Sequence, residues 1–501
     1  MKTIGRDFGD VARKVYATAS GTLPNGKPVV VNSDGTVSVV SPSGNPPALG
    51  TPAVFESAAT YFIFSCNPRT NMIVVAYTDG GDANKGKAVV GTISGSSISF
   101  GTPVEFGPTY SYCAGCVIDP QGSGSVIILY RKVSNPDSLI ARAGTTANGS
   151  TNISFGSTKT ITNNTTSFES MGNDMSRLKT IIAYRDEGDG NKGKVVVLAV
   201  SGGTTLTTGT TINFTSNGIF NTSIAWVIGS TGKNVLAYRH SDNSNYGTAV
   251  VVSITSAAAG NAISVGTPVV FNSATTLLPS VSSVDQAVGN DFTVVIAYAD
   301  GGNNNYGTAI VGYVAAASGT GTVISFPSSE VVFTSSAVDN IVSVTDTVSY
   351  QNVIAYKDVG NSNYGTFLSG TVTGTSISFT SPTVFSSATS TYNSLVFEPQ
   401  ANKTVISYQD PNNSNYGKSV VTTSSSTNLT AENYVGMTPS AYPDGAGAEI
   451  DTKGAINTEQ SGLTAGQSYY VQTDGTITTT AGTPSVFAGT AVSATKLIVK
   501  G

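Results

Sequence analysis

A tyrosine at the end of a short apolar run recurs seven times along this 501-residue chain. In six copies a glycine stands nine residues later, as in VVIAYADGGNNNYGTAIVGYV, residues 294–314. Successive tyrosines are 53, 54, 54, 60, 58 and 52 residues apart, and an internal repeat of this length restricts the chain to a few architectures. The tyrosines are Tyr77, Tyr130, Tyr184, Tyr238, Tyr298, Tyr356 and Tyr408.

Each copy predicts two strands joined by a polar loop. Residues 294–298 and 307–314 are apolar runs without polar alternation, which indicates strands buried on both faces. The loop between them, 300–306, is rich in Gly and Asn, which tolerate positive φ. A hairpin buried on both faces requires a sheet on either side of it.

Further strands flank each hairpin. Short inner strands are expected before the tyrosine strands, as at 62–66, 280–285 and 393–398, and outer strands after the hairpins, as at 97–106, 262–271, 323–333 and 376–385. Pro103, Pro268 and Pro382 suit an outer edge, where no partner needs the missing N–H. Four strands in each of seven repeats predict an all-β fold, a seven-bladed β-propeller of four-stranded blades over residues 49–431.

A segment ahead of the first repeat resembles an outer strand. LGTPAVF, residues 49–55, matches the second half of the outer strands, which is FGTPVEF in the first repeat, whereas the last repeat has no good copy after residue 424. We therefore expect residues 51–55 to pair into the last repeat and to close the ring.

The two ends of the chain, 1–48 and 432–501, resemble each other. Gly26 precedes Asp34-Gly35-Thr36 by eight residues, and Gly466 precedes Asp474-Gly475-Thr476 by the same interval. Each is predicted to form a hairpin with a primed Asp-Gly turn. The N-terminal arm, which opens with a helical turn or two, and the C-terminal β module are expected to pack together as one small β module. Residues 41–47 and 424–430 are interpreted as the linkers.

Composition narrows the possible partners. Charged residues make up 11% of the chain and its net charge is −5 without a basic run, so no nucleic-acid partner is predicted. No apolar run approaches the roughly 20 residues of a membrane helix, so no membrane insertion is expected. Charged residues such as Arg6, Asp10 and Arg13 interrupt any signal-peptide core, which predicts synthesis in a reducing cytosol.

Cys113 and Cys116 form a C-x-x-C, a spacing found in redox and metal sites. They lie in an expected inner strand, where positions three apart face opposite sides. Because no second pair and no nearby His accompanies them, we predict buried free thiols, no metal site and no cofactor.

The repeated loop admits two interpretations. Asp300, Gly302, Asn303 and Asn305 recur in similar form in most copies, and alternate oxygen ligands with a Gly are typical of Ca²⁺ loops. No bidentate Glu follows, and Asp and Asn also close turns by bonding their own backbone. We favour the turn, with Ca²⁺ binding as the alternative.

All these loops are expected on one face of the propeller. Candidate binding residues on that face combine aromatic contact area with polar tips, which suits a glycan or a protein. The alternative is that each Tyr merely packs on the neighbouring repeat. These residues are Tyr246, Tyr306, Tyr364, Tyr416, Lys85 and Lys192.

The repeat VIAYxDxGNSNYGTAxVG…SISFGTPVVF resembles propeller repeats in virion proteins of tailed bacteriophages, marine and cyanobacterial types in particular. The segments 469–501 and 21–40 are similar to terminal modules of phage structural and fibre proteins. This resemblance implies a non-enzymatic virion structural protein associated with the tail or a fibre, with the propeller displayed outward. It also implies virion localisation, other virion proteins as partners and an oligomeric state on the particle, with a host-surface glycan or protein as a further partner.

Two alternatives remain open: a capsid decoration or head-fibre protein, and a carbohydrate-binding propeller adhesin outside any virus. On the virion hypothesis, the C-terminal module attaches to the particle through apolar residues that exceed its own needs, with Tyr469, Tyr470, Phe487 and Leu497 as candidates. The competing interpretation gives these residues only to the core of that module.

Catalysis is not predicted. Arg131, Arg185 and Arg239 follow the tyrosine in three consecutive repeats, which resembles an arginine cluster of propeller sialidases. The same position elsewhere holds Thr78, Ala299, Lys357 and Gln409, which indicates a tolerant exposed site. The S-x-D-x-G-x-T-W box of sialidases is absent. His240, the only His, occupies a position held by Asp in five repeats, which gives a Ser-His-Asp triad little support.

Overall fold

The fold is built almost entirely of β-strands. It was analysed in a computed structural model that describes residues 13–32, 34–40, 48–122, 124–134, 137–255, 262–288, 291–315, 323–327, 329–423, 428–473, 475–482 and 484–500. Among these residues the only helical segment is a 3₁₀ turn at Glu187–Asp189, and none forms a helix of the length and apolarity that a membrane crossing needs. The chain divides into a repeat unit, 47–424, and a terminal unit that combines 1–46 with 425–501.

Each of the seven tyrosines lies on a strand that turns back through a hairpin into a return strand. The tyrosine strands are Met72–Asp79, Ser125–Lys132, Lys179–Asp186, Lys233–His240, Asp291–Asp300, Gln351–Asp358 and Lys403–Asp410. The return strands are Lys85–Ser94, Ser138–Thr146, Lys192–Ser201, Tyr246–Ile254, Tyr306–Val314, Tyr364–Thr373 and Tyr416–Thr423.

An inner strand pairs antiparallel with each tyrosine strand, and outer segments pair with each return strand. Separate inner strands are Thr60–Arg69, Ser111–Ile118, Thr166–Asp174 and Thr391–Glu398. Separate outer segments are Ser97–Phe100, Val104–Gly107, Ile153–Thr162, Thr205–Thr208, Ile263–Val265, Ile324–Ser325, Ser376–Phe379 and Thr383–Thr389. Pro103, Pro268 and Pro382 fall between two outer segments, where their missing N–H leaves no gap in the pairing.

Three strands pass directly from one repeat into the next. Ile212–Trp226, Val269–Val288 and Val331–Asp346 each begin as the outer segment of one repeat and continue as the inner strand of the following one. Residues 272–279, which lie between the outer and inner strands expected at 262–271 and 280–285, therefore belong to one continuous strand and form no separate loop. Thr276, for example, donates its N–H to the carbonyl of Asn245 in the preceding hairpin loop at 3.0 Å.

The first and last repeats are joined through the segment that precedes the first repeat. Ala53–Glu56 pairs antiparallel with the return strand of the last repeat, with Ser419 opposite Ala53 and Gly417 opposite Glu56. The pairing expected for residues 51–55 is confirmed. The inner strands of these two repeats also bond directly, since Ser65 donates its N–H to Ser394 Oγ at 2.9 Å.

The tyrosines form the packing centre of the repeat unit. All seven are among the largest fully buried side chains. In six repeats the tyrosine contacts a phenylalanine from the outer segment of the neighbouring repeat, with ring centroids 5.1–5.5 Å apart. These pairs are Phe55–Tyr77, Phe106–Tyr130, Phe214–Tyr238, Phe271–Tyr298, Phe333–Tyr356 and Phe385–Tyr408.

In six repeats the glycine nine residues after the tyrosine makes room for the phenylalanine of the outer segment that pairs with the same return strand. A Cβ on Gly307 would lie 2.3 Å from a ring carbon of Phe333, and one on Gly86 would lie 2.3 Å from Phe106. Contacts this short do not occur, so a side chain at the glycine position excludes the phenylalanine. The second repeat has neither residue: Leu139 stands in the glycine position and Ile161 in that of the phenylalanine, and both pack with Tyr184. The glycine and the phenylalanine therefore change together, while the tyrosine is kept in all seven repeats.

The terminal unit joins both ends of the chain. Lys14–Thr18 pairs with Gly447–Asp451, and Pro28–Val31 pairs with Tyr434–Met437. One sheet contains these four strands and Val37–Val39, and a second contains Ile456–Asn457, Ser468–Val471, Ile477–Thr478, Val486–Ser493 and Lys496–Val499. The helical turn expected at the N-terminus falls mostly on residues 1–12, outside the described residues.

The boundary of the terminal unit lies earlier than expected. Leu429 is buried with Val30 and Val40, and Asn428 donates to the carbonyl of Val39 at 2.8 Å. Residues 428–431 therefore belong to the terminal unit rather than to the repeats, whose expected end was residue 431. The linker predicted at 41–47 and most of the one at 424–430 lie outside the described residues.

The two terminal hairpins have matching turns, but not the expected type. Val31 pairs with Val37, and Asn32 donates its N–H to the carbonyl of Thr36. Three residues therefore separate the last bonded residues of the two strands, and the last of the three is Gly35 at φ +82°. Val471 likewise pairs with Ile477, and Gln472 bonds Thr476. A three-residue loop with a left-handed last residue replaces the two-residue primed turn predicted for Asp-Gly; Asp474 itself lies outside the described residues.

Candidate binding site

The repeated hairpin loops are closed turns. Asp300 Oδ1 accepts the N–H of Gly302 at 2.9 Å, and Asp79 Oδ1 accepts that of Gly81 at 2.8 Å. Two consecutive left-handed residues end most of these loops, as at Asn304 and Asn305, which explains the preference for Asn. Within the described ranges, no three His, Cys, Asp or Glu side chains come together to hold a metal ion. The hydrogen bonds support the turn over the calcium loop.

The second left-handed residue also connects neighbouring repeats. Its carbonyl accepts an N–H from the start of the next inner strand in five places, between 2.9 and 3.3 Å. Asn415 of the last repeat accepts from Thr60 of the first in the same way, at 3.0 Å. The Asn-rich loops thus have a structural duty that is independent of any ligand. The five pairs are Asn84–Ser111, Asn245–Thr276, Asn305–Val338, Asn363–Ser390 and Asn415–Thr60.

The six predicted face residues lie at these loops but are not prominent. Tyr246, Tyr306, Tyr364 and Tyr416 each open a return strand and are half-buried. Lys85 forms ion pairs with Asp82 at 3.3 Å and Glu105 at 3.5 Å, and Lys192 with Asp189 at 2.8 Å. Because both lysines are paired within the fold, their charge is largely compensated. The role of these six residues in binding stays a prediction.

A second set of residues on the same side lies nearer the middle of the repeat unit. Each inner strand begins opposite the end of its tyrosine strand that leads into the hairpin loop. Each carries a β-bulge within the first few residues from that end. We call the bulged residues the bulge ring. In six repeats the first of them is left-handed, with φ between 48° and 54°: Phe62, Phe168, Asn221, Leu278, Asn340 and Tyr392. Cys113 is the equivalent in the second repeat.

Positive φ is strained for bulky side chains such as Phe, Tyr and Leu. Here the surrounding bonds enforce it. Tyr392 donates its N–H to Asn340 Oδ1 at 2.9 Å, and Thr222 donates its hydroxyl to the carbonyl of Phe168. Neighbouring repeats thus hold one another's bulges in place. Backbone strain of this kind is concentrated at ligand sites, and bulges serve to redirect side chains there.

The residue before each bulge faces the residue after the buried tyrosine across the strand pair. These cross-strand pairs share one backbone geometry but differ in chemistry from repeat to repeat. In repeat order they are Tyr61/Thr78, Tyr112/Arg131, Ser167/Arg185, Phe220/Arg239, Leu277/Ala299, Asp339/Lys357 and Thr391/Gln409.

The position after the tyrosine is not the tolerant exposed site that its variety indicated. Thr78 and Ala299 are fully buried and Gln409 is 4% exposed. Thr78 Oγ1 accepts the N–H of Cys113 in the next repeat at 2.9 Å, and Gln409 bonds the first repeat through the carbonyl of Thr60. The position lies at the junction between repeats, where each residue is fitted to its own neighbour.

The arginines of repeats two to four form one sector of the bulge ring with two phenylalanines. The Arg185 guanidinium lies 4.7 Å from the ring centre of Phe168 and 5.1 Å from that of Phe220. Arg239 lies 4.3 Å from Phe220. Phe220 thus contacts both guanidiniums, and Phe168 meets it edge-on at 5.4 Å. We call Arg185, Arg239, Phe168 and Phe220 the arginine sector.

The arginines differ in their ion pairs. Arg131 lies 3.5 Å from Glu169, and Arg185 donates to Glu187 at 2.7 Å. Arg239 has no carboxylate within ion-pair distance among the described residues, and its buried Nε has no hydrogen-bond partner there. Burial lowers the pKa of its guanidinium, which is the direction expected for a cation without compensation. Nε2 of the adjacent His240 is also buried without a partner among these residues.

Aromatic rings form the sector where the last, first and second repeats meet. Phe62 contacts Tyr392 at 5.1 Å and Tyr112 at 5.6 Å, and Tyr61 meets Tyr392 edge-on at 6.1 Å. All four are half-buried, so each offers part of its ring to solvent, and the three tyrosines also carry a phenol hydroxyl. Aromatic groups of this kind supply rigid contact area for a ligand.

The C-x-x-C cysteines are buried free thiols, as predicted, but they do not face opposite sides. Cys113 and Cys116 both pack with Tyr130 and Ile128, because the bulge after Cys113 adds a residue and shifts the alternation. Cys116 Sγ lies 3.0 Å from Sγ of Cys66, and burial raises the pKa of both C-x-x-C thiols.

The four predicted attachment residues lie in different environments of the terminal unit. Tyr469 and Leu497 are 7% and 0% exposed and belong to the core of that unit. Tyr470 and Phe487 are half-buried and contact each other at 5.5 Å. In this structure only the latter two can contact a partner. Tyr16, which was not predicted, is 73% exposed.

Comparisons with known proteins place the fold but no family. No protein-family model and no curated protein matches the chain. Among solved structures, the BP39L lectin from Burkholderia pseudomallei is 11% identical, covers 76% of this chain and 99% of its own, and has a TM-score of 0.51.

Two further similar structures have TM-scores too low to support an argument. AofleA from Arthrobotrys oligospora is 12% identical, with 66% of this chain and 90% of its own covered at a TM-score of 0.40. A mutant Trypanosoma rangeli sialidase with trans-sialidase activity is 11% identical, with 82% and 58% covered at 0.38. At these identities the likeness concerns the fold alone. The chain has the all-β fold of a β-propeller.

Proposed function

We propose that this chain is a non-catalytic, glycan-binding β-propeller whose seven repeats are seven blades, with its ligand bound at the bulge ring. The bulge ring is the observation that carries the proposal. Six repeats hold a left-handed residue at one structural position, yet no two repeats have the same cross-strand pair of residues beside it. The tyrosine, which serves packing, is by contrast the same in all seven repeats. The lectin identity of the similar Burkholderia structure supports the same function.

The chemistry of the ring suits sugars. A pyranose presents an apolar C–H face that packs on an aromatic ring, and hydroxyls that need donors and acceptors around it. Phe62 and three tyrosines supply aromatic surface, and the tyrosines add phenol hydroxyls: Tyr61, Tyr112 and Tyr392. Thr391 of the same junction is half-buried and adds a hydroxyl group, whereas Gln409 is buried and bonded to Thr60 and Thr391. No deep cavity is needed for such a ligand, and a shallow ring of residues is sufficient.

The carboxylates of the ring favour binding over catalysis. Glu169 is 3.5 Å from Arg131 and accepts a hydrogen bond from Thr166 Oγ1 at 2.7 Å. Asp339 is paired with Lys357 at 2.6 Å. Glycoside hydrolysis needs one carboxyl group that can be protonated near a second one. Both carboxylates here are instead paired with cations, and among the described residues neither has a second carboxylate paired with it in that role.

A glycan array probed with the purified full chain tests this function. The expected result is binding to a related set of glycans that is lost when both Phe62 and Tyr392 are changed to Ala. Changing both Val54 and Val384, which are exposed on outer segments, to Ala provides the control and is expected to leave binding intact. An array with no signal for the unaltered protein would refute the proposal.

We further propose that the protein is displayed on a phage virion through its terminal unit, as the resemblance of its repeats and ends implies. Support comes from the exposed apolar residues of that unit: Tyr16 at 73%, Ile456 at 50% and Val492 at 44%. A partner that covers them, together with Tyr470 and Phe487, would bury surface that a free protein leaves in water.

Particle composition provides the test of this location. Particles assembled with the Tyr470→Ser and Phe487→Ser changes are expected to carry fewer copies than the wild type, whereas Thr478→Ser, on an exposed strand residue, is expected to have no effect. Normal copy number in the double variant would argue against these residues as the attachment site. Absence of the protein from purified wild-type particles would refute the location itself.

A further inference from the structure

The arginine sector holds a cation that the fold does not neutralise. Arg239 is half-buried, its guanidinium lies on Phe220, and the described residues place no carboxylate within ion-pair distance of it. A partly desolvated charge without a partner is costly, so such groups are normally paired. The equivalent Lys357 of the sixth repeat is paired with Asp339 in just this way, and Arg131 and Arg185 have Glu169 and Glu187.

The position opposite Arg239 shows why its pair is missing. Where Lys357 faces Asp339, Arg239 faces Phe220 in the same strand register. The phenylalanine holds the guanidinium by its ring face but accepts no hydrogen bond from it. Apart from the buried Nε, the N–H donors of Arg239 therefore remain available for an external acceptor, while the contact with Phe220 restricts the directions in which they point.

Arg185 completes the arrangement. It lies on the same Phe220 at 5.1 Å and on Phe168 at 4.7 Å, so two guanidiniums from neighbouring repeats share one aromatic ring. Guanidinium groups recognise carboxylate and sulfate oxygens through paired N–H donors, which a Lys cannot reproduce. Phe168 and Phe220 are both half-buried and leave part of each ring open beside these donors.

We infer that the arginine sector binds an acidic sugar, with the carboxylate or sulfate group of a glycan on Arg239 and Arg185. This inference rests on the proposed glycan-binding function and names its substrate class. Diffuse attraction does not account for such binding, because the chain as a whole carries a net charge of −5 and would repel an anionic polymer. Any affinity for acidic glycans must therefore come from a local site.

Titration calorimetry with three matched oligosaccharides tests the inference on the full chain. The probes are an oligogalacturonate, the same oligosaccharide after reduction of its carboxylates, and a sulfated dextran oligosaccharide, all at about 50 mM salt, where charge interactions are weakly screened. The expected result is binding of at least one acidic probe at least tenfold tighter than the reduced probe. Binding of the uronate assigns a carboxylate, and binding of the sulfated probe alone assigns a sulfate; both support the site.

Variants locate the binding. Arg239→Gln is expected to weaken the acidic probe at least tenfold and Arg239→Lys by less, since the charge remains but the paired donors are lost. Arg177→Gln is the matched control, because it removes the same charge in the turn at the opposite end of the third tyrosine strand, next to Asp174. Melting temperatures of all variants show whether each one is folded.

The outcomes separate this inference from the proposed function. If the reduced probe binds as tightly as the uronate and Arg239→Gln has no effect, the acidic-sugar site is wrong and the glycan-binding function stands. If Arg177→Gln loses as much affinity as Arg239→Gln, the attraction is diffuse and the site is also wrong. If none of the three probes binds and the glycan array is blank, the proposed function itself fails.

Discussion

The packing centre and the bulge ring of the repeat unit are built on the same backbone but differ in how their side chains vary. At the centre, six repeats share one Tyr–Phe–Gly set, and the second repeat changes Gly and Phe together to Leu139 and Ile161. At the ring, six repeats share a left-handed bulge, yet the residues around it range from Phe220/Arg239 to Asp339/Lys357. Uniform side chains therefore serve the fold, and varied side chains on a uniform backbone indicate a surface adapted to a ligand.

The largest expected effect concerns the closing contact. Phe55→Ala removes the ring that packs on Tyr77 at 5.2 Å and is expected to lower the free energy of unfolding by about 3–5 kcal/mol. Phe333→Ala, the equivalent in the middle of the repeats, should cost about the same, because a closed ring makes all junctions equal. Val54→Ala, exposed on the same strand, is the control. A small effect of Phe55→Ala beside a large one of Phe333→Ala in urea unfolding would contradict closure.

A second prediction tests whether glycine and phenylalanine act as one set. Gly307→Leu places a side chain where a Cβ alone would lie 2.3 Å from Phe333, and we expect a loss of roughly 3 kcal/mol from overpacking. Adding Phe333→Ile reproduces the second repeat and should recover much of that loss. Gly447→Ala, where a Cβ meets nothing within 4 Å, is the control. A double variant as unstable as the sum of the single variants would show that the two positions are independent.

The third prediction uses pH to probe the buried tyrosines. Burial raises the pKa of the Tyr408 phenol from about 10 to about 12, because the neutral form is favoured in the core. The stabilisation is fully present below pH 10 and is lost as the pH rises towards 12, amounting to about 2–3 kcal/mol for this residue. Absorbance at 295 nm should show the core tyrosines ionising only as the protein unfolds. Their ionisation in a folded protein near pH 10 would be inconsistent with this packing.

The smallest expected effect concerns strain at the bulge ring. Leu278→Asn gives the fifth repeat the residue found at the equivalent positions Asn221 and Asn340, which tolerates the left-handed backbone better. The free energy of unfolding should increase by about 0.5–1 kcal/mol, and the melting temperature should rise with it. Leu368→Asn, in the buried core, should instead destabilise the protein strongly. A clear loss of stability in Leu278→Asn would mean that Leu278 serves packing rather than the surface.

The difference between these regions also explains what could be predicted from the sequence. The tyrosine strands, the hairpin loops and the pairing of residues 51–55 follow from local patterns, since apolar runs and Gly/Asn clusters have the same meaning in every repeat. The bulges do not, because Phe62, Asn221 and Leu278 have no residue type in common, and their conformation is imposed by bonds from the neighbouring repeats. The variety at Arg131, Arg185 and Arg239 was visible, but it was interpreted as tolerance. Burial at Thr78 and Gln409 shows that variety can also reflect a separate fit at each junction.

Hydrogen–deuterium exchange with a bound glycan tests most directly whether the ligand lies at the bulge ring. The full chain, saturated with its best array ligand, is predicted to gain protection at the starts of the inner strands, residues 60–64, 166–170, 219–223 and 391–394. The hairpin loops that precede Tyr246, Tyr306, Tyr364 and Tyr416 should exchange as they do without ligand. Protection confined to those loops, with unchanged exchange at the inner strands, would contradict the bulge ring as the binding site.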